Sequence, residues 1–294
     1  EMGIPEDFVS NGAVRYTHKL IPSGDIYFVS NKTSSTLNAN CSFRVNEGTP
    51  ELWNPMTGET RELPDFKIKK GYIEIPLQFE ASESYFIVFN HDKKAEASIS
   101  NKVKNFVQPK LLFEFNSPWK VSFDPKWGGP ENVVFDKLVD WTSRPEEGIK
   151  YYSGIATYHT TIKLSENVIA DKKTDIYLDL GEVNNLARIR VNGKDMGVVW
   201  TAPFQIKITD AVVSGDNQID IEVANLWPNR LIGDEKKPDD GIKDNQWPDW
   251  LLNEKPRTSG RFTFTTYKHY NADSPLLKSG LIGPVKIMTA KKTK

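Results

Sequence analysis

Two short phrases in this chain bring together residue types that could do chemistry jointly: Trp227-Pro228-Asn229-Arg230 and Trp247-Pro248-Asp249-Trp250. An indole face stacks on the apolar face of a pyranose ring, and Asn, Asp and Arg direct hydrogen bonds at its hydroxyls. Trp227, Asn229, Arg230, Trp247, Asp249 and Trp250 are therefore the carbohydrate-binding candidates. The structural alternative is that the tryptophans staple their loop to the body of the domain, with Arg230 a partner for Asp234 or another acid. Hydrolysis needs more than recognition, namely two carboxyls flanking the scissile bond, one of them with a raised pKa. Acids are plentiful from Asp234 to Glu254, but they are interleaved with Lys236, Lys237 and Lys243, the composition of a solvated surface. No catalytic residue is assigned. Trp200 and Tyr267 lie in strand-like runs and are expected to pack in the core or between domains, with Arg261 and Lys268 as solvated strand-edge charges.

Other chemistries find little support. Cys41 is the only cysteine, so neither an intrachain disulfide nor a paired-cysteine metal site can form. Its place among Leu37, Ala39 and Phe43 at strand spacing reads as a small core residue. His18, His91, His159 and His269 are isolated in sequence, without the spacing of a zinc site. There is no nucleotide-type Gly-rich loop and no nucleophile elbow. A formal net charge of -1, with both signs scattered along the chain, provides no basic footprint for nucleic acid. No apolar run approaches the roughly 20 residues of a membrane-spanning helix.

The elements that must position the two tryptophan phrases are strands. In Ala187–Asp234, Ile189 and Val191 alternate with Arg188, Arg190 and Asn192, the period-two pattern of a strand with one buried face. Asn192-Gly193 follows, the strongest short hairpin signal, because both central residues of a type I′ turn need positive φ. Val198–Trp200, then Phe204, Ile206 and Ile208, then Ile219, Ile221 and Val223 continue the pattern. The first hundred residues add seven or so short strands, among them the nearly continuous apolar run Tyr85–Phe89, as in a central strand. Between the two strand regions the composition turns polar over 91–108, which places a domain boundary near residue 105. With 294 residues, two domains are expected, 1–104 and 105–294. The connection 228–260 is too long to lack structure in a compact domain unless it is functional, and too apolar for a disordered linker, so it is expected as an ordered loop.

The run from Leu178 through VNGKDMGVVWTAPFQIKIT to EVANLW resembles the sugar-binding, galactose-binding-like β-sandwich that accompanies the barrel of family 2 glycoside hydrolases. The phrases NLWPNRLIGD, WPDWLL, RFTFTTYKHY and SGLIGPVKI, with IPEDF, DIYFVSN and ELWNPMTGE near the start, resemble the C-terminal region of the α-L-rhamnosidase-like enzymes of glycoside hydrolase family 106. The resemblance implies an all-β chain of two tandem antiparallel β-sandwiches, the second a galactose-binding-like jelly roll. It implies a non-catalytic portion of a secreted or periplasmic glycoside hydrolase, inactive alone. That portion would pack on the catalytic barrel of the same parent chain and bring the 227–254 loop to the rim of the carbohydrate cleft. An autonomous carbohydrate-binding module and a purely structural spacer are the alternatives. The opening at Glu1 without a start methionine fits a piece of something longer. No cofactor is expected. A structural calcium at Asp239-Asp240-Gly241 with Asp244 is the exception to weigh, since the resembled sandwiches often carry one, although the spacing matches no defined calcium loop.

Overall fold

The structure, a computed structural model, describes residues 5–92 and 104–292. The middle of the polar boundary segment, 93–103, thus lies outside the described residues. The chain divides into two compact units, Glu1–Lys110 with Ala290–Lys294, and Leu111–Thr289.

In the first unit the strands are β1 (Phe8–Ser10), β2 (Val14–Ile21), β3 (Gly24–Asn31), β4 (Leu37–Phe43), β5 (Thr49–Trp53), β6 (Thr60–Glu62), β7 (Lys67–Lys69), β8 (Tyr72–Phe79) and β9 (Ser84–Asn90). They form two antiparallel sheets, β1-β4-β8-β7 and β2-β3-β9-β5-β6. Alternation decides which face is buried: Ile73, Ile75, Leu77 and Phe79 of β8 point inward, while Tyr72, Glu74, Pro76 and Gln78 between them are only partly covered. The apolar run of β9 belongs to a strand hydrogen-bonded on both sides, to β3 and β5. Tyr27, Phe43 and Phe89 meet edge to face in the core, Tyr27 to Phe43 at 4.9 Å and Tyr27 to Phe89 at 6.0 Å, each burial contributing roughly 1.5–3 kcal/mol. Cys41 is fully buried there, and burial pushes its thiol up to about 11. Two of the sequence-isolated histidines meet on one carboxylate: His18 Nε2 lies 2.7 Å from Asp25 Oδ1 and His91 Nε2 lies 2.8 Å from Asp25 Oδ2.

The second unit holds, apart from the outermost residues of the first and last strand, β10 (Lys110–Glu114), β11 (Trp119–Phe123), β12 (Val133–Phe135), β13 (Ile155–Leu164), β14 (Thr174–Asp179), β15 (Glu182–Asn184), β16 (Leu186–Val191), β17 (Lys194–Val199), β18 (Gln205–Lys207), β19 (Gly215–Ala224), β20 (Gly280–Gly283) and β21 (Lys286–Lys291). A six-stranded sheet, β12-β11-β13-β19-β16-β17, and a four-stranded sheet, β10-β21-β14-β18, enclose one apolar core, and β15 pairs with β20. The expected hairpin is present: Asn192 and Gly193 have φ of 51° and 77°, and Val191 faces Lys194 across the turn. The fold is all-β and antiparallel, and among the described residues its α-helices are short: α1 (Glu147–Lys150), α2 (Glu166–Ala170), α3 (Pro228–Asp234) and α4 (Asp249–Leu252). Among the described residues no helix is long and apolar enough to cross a membrane.

Two strand-like readings are corrected. Residues 261–270, RFTFTTYKHY, alternate as a strand would but pair with no neighbour, and Tyr267 is 70% exposed. Trp200, expected to pack, is 61% exposed. It follows β17, an edge strand, on the outward side already taken by Val198, so alternation directs it to solvent.

Candidate functional site

Trp227 stands at the entry to α3, where Pro228 occupies the first helical turn, a position at which its missing N–H costs nothing. Opposite it is Trp127, carried on the tight 3-10 turn Pro125–Trp127. That turn is built by its sequence: the Asp124 carboxylate accepts from the Lys126 N–H at 2.9 Å, and Gly128 closes it in the left-handed region at φ 79°. The two indoles meet edge to face, 5.5 Å between centroids and 78° between planes. Both remain partly open to solvent and line a cleft of about 320 Å³ with Asp124, Tyr152, Ile155 and Asn225.

Asn229 and Arg230 sit behind this cleft. Asn229 is buried and spends its amide on the chain: Nδ2 donates to Leu277 O at 2.6 Å and Ser279 Oγ at 3.0 Å, and Oδ1 accepts from the Leu277 N–H at 2.8 Å. Arg230, 5% exposed, donates from Nη2 to Trp127 O at 3.0 Å and lies 4.5 Å above the Phe262 ring. Burial holds its pKa below the usual guanidinium range. Arg230 thereby fixes the backbone that carries Trp127 and is a positioning residue. Asp234 accepts from the Phe262 N–H, the Thr263 N–H and Thr263 Oγ1 at 2.6–2.9 Å.

The second phrase belongs to the ordered flap that leaves the sandwich after β19 and returns at β20. Trp250 donates from Nε1 to Asp240 O at 2.8 Å, stacks under the Arg257 guanidinium at 4.6 Å and meets Phe264 edge to face. Asp240 accepts a two-pronged contact from Arg257, at 2.6 and 2.8 Å, and that guanidinium drives its carboxyl down to about 2. Glu235 lies between Arg261 Nη1 at 3.0 Å and Lys268 Nζ at 3.3 Å. Arg261 also donates to Pro238 O and Lys237 O, so it is a partly buried strut rather than a solvated edge charge. Trp247 is 48% exposed beside Phe264. Asp249, on the surface, is held by Lys255 and Asn253, which lower its pKa. A cleft of about 330 Å³ opens within the flap, between its Leu231–Ile242 part and the run Thr263–Tyr270.

A family model described as α-L-rhamnosidase, glycoside hydrolase family 106, matches residues 1–68. A protein named putative β-glucuronidase from Formosa agariphila is 43% identical over 193 residues, 64% of this chain and 16% of that protein. The rhamnosidase of Novosphingobium sp. PP1Y superposes over 98% of this chain with a TM-score of 0.83 and 31% identity. Over the compared residues this chain is similar in sequence and fold to glycoside hydrolase family 106 proteins. It spans 25% of the Novosphingobium chain.

The carboxyls of Glu146, Glu182, Asp195, Asp240 and Asp249 are each displaced downward by a hydrogen-bonded Arg or Lys. None of them has the raised pKa of a general acid. Sequence reasoning missed Trp127 and Asp124, which lie a hundred residues from Trp227. The only signal was the Asp-Pro-Lys-Trp-Gly turn itself. It also missed a cross-strand line in which His159 Nε2 is 3.0 Å from Ser122 Oγ and Nδ1 is 2.7 Å from Asp220 Oδ1. Ser122 sits in a paired strand, Lys120–Phe123 against Ala156–His159, and not on the strained turn that presents a nucleophile beside free amides. Among the described residues no three His, Cys, Asp or Glu side chains group as metal ligands would, and Asp240 of the weighed calcium turn is already committed to Arg257.

Proposed function

We propose that this chain is the non-catalytic portion of a glycoside hydrolase of the rhamnosidase-like group and contacts carbohydrate through the Trp127–Trp227 cleft. The observation that carries the reading is the pair of half-exposed indoles meeting edge to face over a ligand-sized cleft, an apolar platform with Asp124 at its margin. The names of the relatives, a rhamnosidase and a putative β-glucuronidase, support a glycosidic substrate for the parent protein. That parent acts in the periplasm or outside the cell, and its catalytic barrel is the partner against which this portion packs.

Titration of the isolated chain with oligosaccharides, followed by calorimetry, tests the cleft. Trp227→Ala and Trp127→Ala should each weaken binding by roughly tenfold, since an aromatic stacking contact is worth about 0.5–1.5 kcal/mol beyond its area. If the isolated chain binds nothing but Trp227→Ala lowers turnover of the full-length enzyme, the cleft serves at the rim of the catalytic site. Unchanged binding and turnover in both variants would refute the sugar-contact reading and leave a structural spacer.

A further inference from the structure

The outer face of the six-stranded sheet carries an apolar row that crosses the adjacent strands β13-β19-β16-β17. Alternation puts Ile155, Ala224 and Leu186 on this face, because their chain neighbours Ala156, Val223 and Ala187 are buried in the core. Register then lines them up. Ile155 faces Ala224, Ala224 faces Leu186, and Ala187 faces Val199, which brings Trp200, the next residue out, level with Leu186. Ile155 is 56% exposed, Trp200 61%, and Val198, opposite Arg188 in the adjoining row, 49%. At its other end the row is continuous with the Trp127–Trp227 cleft, whose lining includes Ile155 and Ala224. With strands about 4.8 Å apart, the row is roughly 14 Å long before the indoles at either end are counted.

A continuous apolar surface of this kind marks an interaction site more often than bare solvent-facing sheet. The groups around it decide what covers it. Arg188 is paired with Asp195 and Arg190 with Glu222 within the face, and Asp124 at the cleft margin is acidic, so nothing bordering the row selects a polyanion. Ile155, Leu186 and Val198 are aliphatic and present no side-chain hydrogen bond to a hydroxyl, so a glycan would gain little there beyond the face of Trp200. An apolar protein surface matches the row. The Novosphingobium rhamnosidase supplies the source of one: it superposes over 98% of this chain, which accounts for only 25% of its length. Portions of one polypeptide meet at high effective concentration, so a modest apolar interface holds them together. We infer that the row Ile155–Ala224–Leu186–Trp200 is the face on which the catalytic portion of the parent glycoside hydrolase docks. This rests on the reading of the chain as a non-catalytic portion of such an enzyme, and adds the surface by which it is held. Because the row runs into the Trp127–Trp227 cleft, a catalytic portion docked there lies beside that cleft.

The test is hydroxyl-radical footprinting, read by mass spectrometry, on the full-length parent enzyme and on this chain alone, with Trp200→Glu and Leu186→Lys made in each. In the parent, labelling of Ile155, Leu186 and Trp200 should fall roughly fivefold relative to the chain alone, as side chains now well exposed become interface core. Either substitution should restore labelling of the other row residues and lower the parent's melting temperature by a few degrees. The melting curve of the chain alone should not move, since both side chains lie on its surface. Equal labelling of the row in the parent and in the chain alone overturns the inference and leaves the sugar-contact reading to its own test at Trp227. Protection of the chain alone that grows with its concentration makes a second copy the occupant, and protection that needs added oligosaccharide makes it a glycan; either result overturns the inference. A row protected in a parent whose turnover and sugar binding survive Trp227→Ala keeps the docking face and removes the sugar-contact reading. A parent with no catalytic portion removes both.

Discussion

At the scale of the residue, the sequence picks out side chains by type, and the fold separates contact from support. Arg230 and Trp227, neighbours in one phrase, have opposite roles: one is buried and holds the Trp127 carbonyl, the other faces the cleft. Arg230→Met should strand that carbonyl and cost roughly 1–3 kcal/mol in urea denaturation, whereas Trp227→Ala, already half exposed, should cost well under that. Asp240 makes a second prediction. Its folded pKa, about 2, lies below the ordinary carboxylate value near 4, so the stabilisation is complete above pH ~4 and is lost as pH falls toward about 2. Hydrogen exchange of the flap amides around 238–261 should therefore accelerate across that window before the sandwich unfolds. Arg257→Ala should abolish the pH step and leave those amides fast at neutral pH.

At the scale of the element, what was legible depended on whether the signal was local. The Asn192-Gly193 hairpin was, because a type I′ turn constrains two adjacent residues and nothing distant. The inward faces of β16 and β19 followed from period-two alternation. The same alternation misled at 261–270, since a strand needs a neighbour and sequence does not say whether one exists. The Trp127–Trp227 pair was out of reach for the same reason: the two turns meet only once β11, β13 and β19 are side by side. One glycine depends on this long-range packing. Gly280 has φ of 99°, and a Cβ there would fall 2.3 Å from Trp141 Nε1, which donates to the Tyr158 hydroxyl at 2.6 Å. Gly280→Ala should displace the buried indole and lower stability by more than ~3 kcal/mol, seen as a reduced denaturation midpoint and altered tryptophan fluorescence.

At the scale of the whole molecule, what matters is what a chain spanning 25% of a rhamnosidase can do by itself. Glycoside cleavage requires an acid that stays protonated near neutral pH opposite a second carboxylate, at about 5–5.5 Å for retention or 6.5–9.5 Å for inversion. Raising a carboxyl pKa takes burial away from cations or a like charge nearby. Asp240 shows the reverse, since Arg257 holds its carboxyl down to about 2, while Glu235 sits between Arg261 and Lys268, and Asp234 accepts from two amides and a hydroxyl. All three contacts tie the flap together, and the one at Asp240 keeps its carboxylate ionised, which a proton donor cannot use. The purified chain should therefore release no chromophore from nitrophenyl α-L-rhamnoside or β-D-glucuronide at any pH between 4 and 8. A bell-shaped rate profile lost in Asp240→Asn or Glu235→Gln would overturn the non-catalytic assignment, because only a titrating acid and base within these residues could produce it.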